Sequence, residues 1–330
     1  MTVEDDLRPG YASPMDIETY AMLGLNRHGP RAVNGHSNLD VQASINHEGN
    51  AAYSPCPEAH PAGHVPRGKI LSIRDWQCEQ YPNTVRRIWI YLPADLPQAS
   101  SDVGLIQFND GHIYLDREGP VRAAAVLDSL HAAGEIAPML GVFVIPGRPV
   151  TLTAEADDWT ETEWDEAAEQ RSIEYDSLRP DYGQFLLQEL LPFVEETTGI
   201  RLTEDPTRRI CCGASSGAIG AFTCAWHFPD RFARVLSHVG SFTNIKGGHN
   251  YPWLVRSTPR KDIRVFLQSG ENDAATLFGD WPLANRTMAN ALDYAGYEYR
   301  FEFGTGGHTL THAGALFADS LRWLLSVPDR

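Results

Sequence analysis

Ser215 stands between Gly213 and Gly217 in the run Arg-Arg-Ile-Cys-Cys-Gly-Ala-Ser-Ser-Gly-Ala-Ile-Gly-Ala-Phe, residues 208–222, which reads as a strand driven through a tight turn into a helix. A turn that sharp brings the residues two before and two after its apex nearly into contact, so both are best without a side chain. It also points the hydroxyl away from the sheet and leaves the backbone N–H of Ser216 at a helix start, where negative charge is stabilised. That is the outline of an acyl-transfer site. Gly-x-Ser-x-Gly by itself also describes an ordinary small-residue turn, and its setting is what favours a nucleophile elbow. The residues before it are apolar, and Ala218, Ile219, Ala221, Phe222, Ala225 and Trp226 follow with the period of a helix buried against a sheet. Ser216 is the rival nucleophile, but its own flanks, Ala214 and Ala218, carry the methyls that the turn disfavours.

A serine is a weak nucleophile at neutral pH until an imidazole takes its proton, and the imidazole needs a carboxylate to hold its tautomer. Downstream of such an elbow the acid comes first and the histidine second. Residues 263–268 read as a strand running into Ser269-Gly-Glu-Asn-Asp273, which makes Asp273 the expected acid, with Glu271 and then Asp280 as rivals. Residues 298–303 end in Gly304-Thr-Gly-Gly-His308, a glycine-rich turn that would lift His308 off the last strand on a pliable loop. His308 is the expected general base, with His312 at the start of the final helix as the alternative. A second oxyanion donor belongs to the loop before the first main helix. Here that loop is Asn109-Asp-Gly-His112, so the amide of Gly111 or His112 joins that of Ser216. This chemistry calls for no cofactor.

These groups need a scaffold, and the rest of the chain supplies its pattern. Residues 68–73 and 84–92 alternate like antiparallel strands, and 103–108, 140–145, 208–212, 233–237, 263–268 and 298–303 read as further strands. Helical periods fall at 121–133, 182–197, 216–227, 282–295 and 313–326. Strands alternating with helices predict an α/β fold, a mostly parallel central sheet with helices on both faces and an antiparallel pair at one edge. Residues 66–330 are thus expected to form one α/β-hydrolase catalytic domain. One segment, 151–170, breaks the alternation with an acidic insertion carrying Trp159 and Trp164. It reads either as a solvated loop or as a lid whose indoles line a substrate pocket.

Residues 1–65 are rich in Gly, Pro, Asn and His without a sustained period, and predict an irregular extension with one short helix at 15–25. Such an arm would pack over the domain or over a neighbouring subunit of a homo-oligomer. Its histidines match no ligand spacing, and no metal site is expected. The net charge of −16 argues against a nucleic-acid partner, whose phosphates demand clustered Lys and Arg. The start of the chain lacks a secretory pattern and no window is long enough to span a membrane, so a cytoplasmic protein is expected. The five cysteines are odd in number and irregular in spacing, and core packing is their expected role.

From about residue 66 to residue 323 the chain resembles the esterase-D-like, enterochelin-esterase-like branch of the α/β hydrolases. The residues that carry the resemblance are Phe108-Asn-Asp-Gly111, Arg171-Ser-Ile-Glu-Tyr-Asp176, Phe185-Leu-Leu-Gln-Glu-Leu-Leu-Pro192, Gly213-Ala-Ser-Ser-Gly217, Trp281-Pro-Leu-Ala-Asn285 and Gly306-Gly-His308. The resemblance implies Ser215, Asp273 and His308 as a triad, the Asp110-Gly111 turn as part of an oxyanion hole, and Arg171 with Glu174 near the substrate. Spacing alone would make the last two an i, i+3 surface pair. The expected activity is cleavage of a small-molecule carboxylic ester or lactone through an acyl-enzyme. An acyltransferase using the same intermediate, or a silent ligand-binding relative, is the alternative. The siderophore esterases of this branch carry a separate N-terminal β domain, and residues 1–65 are too short and irregular to form one.

Overall fold

The computed structural model describes residues 32–33, 36–37, 49–97, 100–152 and 161–326, without the side chains of 32–37 and 161–165. The alternating stretches become β1 (Lys69–Trp76) and β2 (Thr84–Leu92), an antiparallel pair. β3 (Gly104–Asn109), β4 (Met139–Val144), β5 (Arg209–Ala214) and β6 (Arg234–His238) are buried along their whole length, as strands of a sheet covered on both faces should be. β7 (Arg264–Asn272) and β8 (Glu298–Gly307) complete the sheet.

The order across it is β8-β7-β6-β5-β3-β4-β2-β1, parallel from β8 to β4, with β2 antiparallel to both its neighbours. This is the α/β-hydrolase arrangement expected from the sequence. It brings the carboxyl ends of β3, β5, β6, β7 and β8 to one edge, where open parallel sheets place their ligand sites.

The helices are α1 (Gly111–Leu115), α2 (Ala123–Ala132), α3 (Glu161–Tyr175), α4, α5 (Ser216–His227), α6 (Tyr251–Ser257), α7 (Trp281–Tyr294) and α8 (Thr311–Leu325). α4 joins Asp181–Phe185, a wider π-helical turn at Leu186–Leu190, and Leu191–Thr198. One face of the sheet packs Phe108 and Phe143 against Leu127, Phe317 and Leu321 from α2 and α8. The other packs Val142 and Leu267 against Phe185, Phe222 and Met288 from α4, α5 and α7. Each such fully buried side chain stabilises the fold by roughly 1.5–3 kcal/mol. Cys211 and Cys212, adjacent on β5, belong to opposite faces, and all five cysteines are free.

The acidic insertion departs from expectation. From Glu161 onward it is helical, and α3 runs to Tyr175 without a break. The side chains this helix buries toward its end include Arg171, Ser172 and Glu174, so a search for apolar period passes over it. Trp159 lies outside the described residues, as does the side chain of Trp164, and so does the helix expected at 15–25.

The described end of the N-terminal extension packs onto the domain. The backbone N–H of Cys56 donates to Gly314 O at 3.1 Å, and Ser129 Oγ to Glu58 O at 2.8 Å. No helix among the described residues is long and apolar enough to cross a membrane.

Candidate active site

Ser215 is the hinge between β5 and α5, and its backbone pays for the turn with φ 54° and ψ −121°. A non-glycine residue held there costs roughly 1–3 kcal/mol, and such strain clusters at reactive sites. A Cβ on Gly213 would come within 2.2 Å of Gly217 O, so the two glycines of the motif do touch across the turn. The Ser215 N–H donates to His238 O at 3.0 Å, and Ser241 N–H donates back to Ser215 O at 3.1 Å, locking the turn to the end of β6.

The three residues expected to work together are brought together. Ser215 Oγ lies 3.0 Å from His308 Nε2, and His308 Nδ1 lies 2.5 Å from Asp273 Oδ1. All three are at least nine-tenths buried. Asp273 follows the last residue of β7 and also accepts Ser269 Oγ–H and its neighbour Ala274 N–H, each at 2.7 Å. These bonds leave one carboxylate oxygen aligned on the imidazole. The rivals stand elsewhere: Glu271 is exposed, and Asp280 caps α7 by accepting Leu283 N–H at 2.7 Å.

His308 is not on a pliable loop. β8 continues to Gly307, and residues near the start of the described chain hold its end. Tyr53 Oη accepts the Thr305 N–H at 2.9 Å, and Asn50 Oδ1 accepts the Gly307 N–H at 3.0 Å. A Cβ on Gly304 would sit 2.0 Å from Tyr53 Oη, so that close approach requires the glycine. His312 is stacked on Tyr53 with ring centroids 4.0 Å apart, and its Nδ1 meets Gln268 Nε2 at 3.1 Å. Burial pushes its pKa down.

The residues expected to form an oxyanion hole lie on two helix starts. Ser216 opens α5 and Gly111 opens α1, positions whose N–H groups have no acceptor within their own helix. The loop before α1 is tied to the elbow: Asn109 Nδ2 donates to Gly217 O at 2.7 Å, while Asn109 Oδ1 accepts from Gln107 Nε2 and Tyr182 Oη. Asp110 adopts a left-handed backbone, φ 49°, and its carboxylate pairs with Arg171 Nη2 at 2.9 Å. The His112 side chain stacks beside Trp89, and burial, with Arg171 and Arg87 nearby, pushes its pKa down to about 3. It is a neutral ring at physiological pH.

Arg171 and Glu174 are neither a surface pair nor partners of each other. Arg171 turns to Asp110, and Glu174 pairs with Arg86 at 2.7 Å while accepting Gly147 N–H at 2.9 Å. Their side chains are 4% and 0% exposed, which leaves little of either for a substrate to touch. Asp176, at the end of the same motif, accepts Ser172 Oγ–H at 2.7 Å, and its burial raises its pKa against the opposing pull of Arg171.

Two further side chains meet at this site: Ser241, which sequence reasoning passes over, and Trp281, which it notes only as part of a motif. Ser241 Oγ lies 3.0 Å from Ser215 Oγ, and Trp281 Nε1 donates to Ser241 Oγ at 3.2 Å while its indole stands edge-on to the His308 ring. The available signal for Ser241 was its place just past the carboxyl end of a strand beside the elbow's own.

Residues 80–324 match the family model described as "Putative esterase". The chain is 27% identical over 292 residues to the iron(III) enterobactin esterase of Dickeya dadantii, covering 80% of this chain and 57% of that protein. It therefore spans little more than half the length of that curated relative. Among solved structures it is similar to the enterobactin esterase of Shigella flexneri in the presence of 2,3-di-hydroxy-N-benzoyl-serine. The TM-score is 0.58 at 21% identity, over 84% of this chain and 62% of that one. It is also similar to a ferulic acid esterase of the anaerobic fungus Anaeromyces mucronatus, with a TM-score of 0.58 at 13% identity, over 81% of this chain and 95% of that one. At these identities the solved structures speak for the fold.

Proposed function

The chain belongs to the esterase family, and from that premise we propose that it hydrolyses small-molecule carboxylic esters through an acyl-enzyme on Ser215. The observation that carries the reading is the unbroken contact from Ser215 Oγ to His308 Nε2 and from His308 Nδ1 to Asp273 Oδ1, at 3.0 and 2.5 Å. In this mechanism His308 takes the Ser215 proton as Oγ attacks the carbonyl carbon. Asp273 keeps the imidazole in the tautomer whose Nε2 is free to accept. The amide of Ser216, with that of Gly111 or His112, receives the negative charge that develops on the carbonyl oxygen, a contribution typically worth about 100- to 1000-fold per donor. His308 then protonates the departing alcohol, and water enters by the reverse route. Arg171 acts through Asp110 to hold the loop that carries Gly111, and is a positioning residue.

The two kinds of relative name the first compounds to try: enterobactin, a lactone that would extend the substrate class beyond simple esters, and esters of ferulic acid. Hydrolysis of either by the purified chain, abolished in Ser215→Ala, supports the reading. Failure of a fluorophosphonate to label Ser215 in the folded protein overturns it.

A further inference from the structure

Beyond the triad, we propose that Ser241 and Trp281 form a directed hydrogen-bond relay that donates a proton-bearing hydroxyl onto Ser215 Oγ and so arms the nucleophile. The inference rests on the hydrolase reading of Ser215 and extends it to two residues which that reading does not use.

The direction of every bond in the chain is fixed from its two ends. At one end, the Asp273 carboxylate can only accept, so His308 Nδ1 carries the hydrogen and Nε2 of the neutral ring is an acceptor. Ser215 must then spend its single hydrogen on Nε2. Its contact with Ser241 can only be one in which Ser215 Oγ accepts and Ser241 donates. At the other end, the Trp281 indole N–H can only donate, and Ser241 Oγ receives it. The order is Trp281 N–H to Ser241 O–H to Ser215 O–H to His308 Nε2, with no member facing the wrong way.

The surroundings hold Ser241 in this role. The turn between β6 and Ser241 places Val239, a β-branched residue, at φ 43°, a conformation such a side chain tolerates poorly. The turn is pinned by Val239 N–H on Gln268 O at 2.7 Å and by Asn285 Nδ2 on Gly240 O at 2.9 Å. Trp281 and Asn285 lie one turn apart on α7, so one helix fixes both the backbone and the hydroxyl of this element. Ser241 and Trp281 are both buried, and water does not compete for the bond between them.

In the reaction, the Ser215 O–H bond breaks and its proton passes to His308 Nε2. The freed Oγ electron pair forms the bond to the carbonyl carbon, and the C=O π pair moves onto oxygen. Ser241 keeps its own proton throughout. Its hydrogen bond strengthens as negative charge grows on Oγ and weakens when that charge is consumed in the new bond. Ser241 is a catalytic residue in the sense that it touches the reacting oxygen, and Trp281 is a positioning residue that acts through it.

The test is the second-order rate at which an aryl fluorophosphonate labels Ser215, measured in wild type, Ser241→Ala, Trp281→Phe, the double variant and Ser241→Thr, with thermal unfolding to confirm that each is folded. Loss of one hydrogen bond to a charged atom predicts about 10- to 100-fold slower labelling in Ser241→Ala. Trp281→Phe, which keeps a ring against His308 and removes the N–H, should be slower by a smaller factor. Because that N–H reaches Ser215 only through Ser241, the double variant should label no more slowly than Ser241→Ala, and Ser241→Thr should recover most of the rate. Wild-type labelling by Ser241→Ala, or losses that multiply in the double variant, overturns the relay while leaving the hydrolase reading intact. No labelling of wild type removes that reading and the relay with it.

Discussion

The elbow that carries Ser215 and the strand end that carries His308 reach the same point in space by opposite means. The elbow takes its sharpness from within: Gly213 and Gly217 meet across a span of a few residues around the strained Ser215, and the bonds to Asn109, His238 and Ser241 add to a turn already built by its own sequence. The end of β8 is held from afar, by Tyr53 and Asn50, residues 252 and 257 positions away in the chain from those they bind. One half of the proposed catalytic pair has its backbone shaped locally, while the other depends on a long-range contact whose loop closure carries an entropic cost. The backbone of the elbow should therefore be robust to changes at residues 49–53, and the strand end that carries His308 sensitive to them.

Mutations can separate the two. His308→Ala should lower kcat by about 10⁴- to 10⁶-fold, as removal of a triad base does elsewhere, and turnover close to wild type would transfer the base role to His312. Gly213→Ala attacks the elbow from within. Its new methyl collides with backbone that cannot swing away, and steady-state assays should show kcat reduced by roughly 100-fold, with a lower melting temperature, because misplacing a reacting atom by about 1 Å has that effect. Asn50→Ala attacks the base from a distance. Loss of the bond to Gly307 N–H should lower kcat by about 2- to 10-fold and stability by about 1 kcal/mol, the usual scale for one hydrogen bond. If Asn50→Ala proves as damaging as Gly213→Ala, the contrast between local and imported geometry is wrong.

A separate effect, on stability rather than turnover, concerns acid. His238 lies beside the elbow with Nδ1 on Tyr114 Oη at 2.9 Å, and burial pushes its pKa down to about 3. A histidine whose folded pKa is depressed binds fewer protons folded than unfolded, so its stabilising contribution is complete above the unfolded value of about 6.5 and is lost as pH falls toward 3. Chemical denaturation across that window should show falling stability, with a shallower slope in His238→Asn, whose shorter side chain can still reach Tyr114.

Most of the scaffold was legible in the sequence because the strands of a covered parallel sheet announce themselves as apolar runs and their helices as periodic stripes. α3 was not, since the groups it buries include the charged Arg171 and Glu174, and buried charge is invisible to a hydrophobic period. The same blindness explains why Arg171 and Glu174 read as a surface pair: spacing reports which residues share a helix face but not that the face is turned inward onto Asp110 and Arg86. At the candidate site, Ser215, Asp273 and His308 could be singled out because each follows a strand end in the order the chemistry requires, and the structure brings the three into contact. The contacts of Ser241 could not be foreseen, and Trp281 drew notice only as part of a motif, because a hydroxyl and an indole have many ordinary uses that sequence does not distinguish. His308 was expected on a pliable loop, but a run of glycines looks pliable only until Tyr53 and Asn50 are seen to fill the space they leave.

The clasp between residues 49–53 and the end of β8 also bears on how this molecule comes to life. During synthesis Ser215 leaves the ribosome well before His308, so on the proposed mechanism its hydroxyl passes much of its assembly without a base. Full turnover would then come only once residues 49–53 have met the end of β8, which would make the rate of ester cleavage a readout of finished folding and an assay for chaperone dependence or for circularly permuted variants.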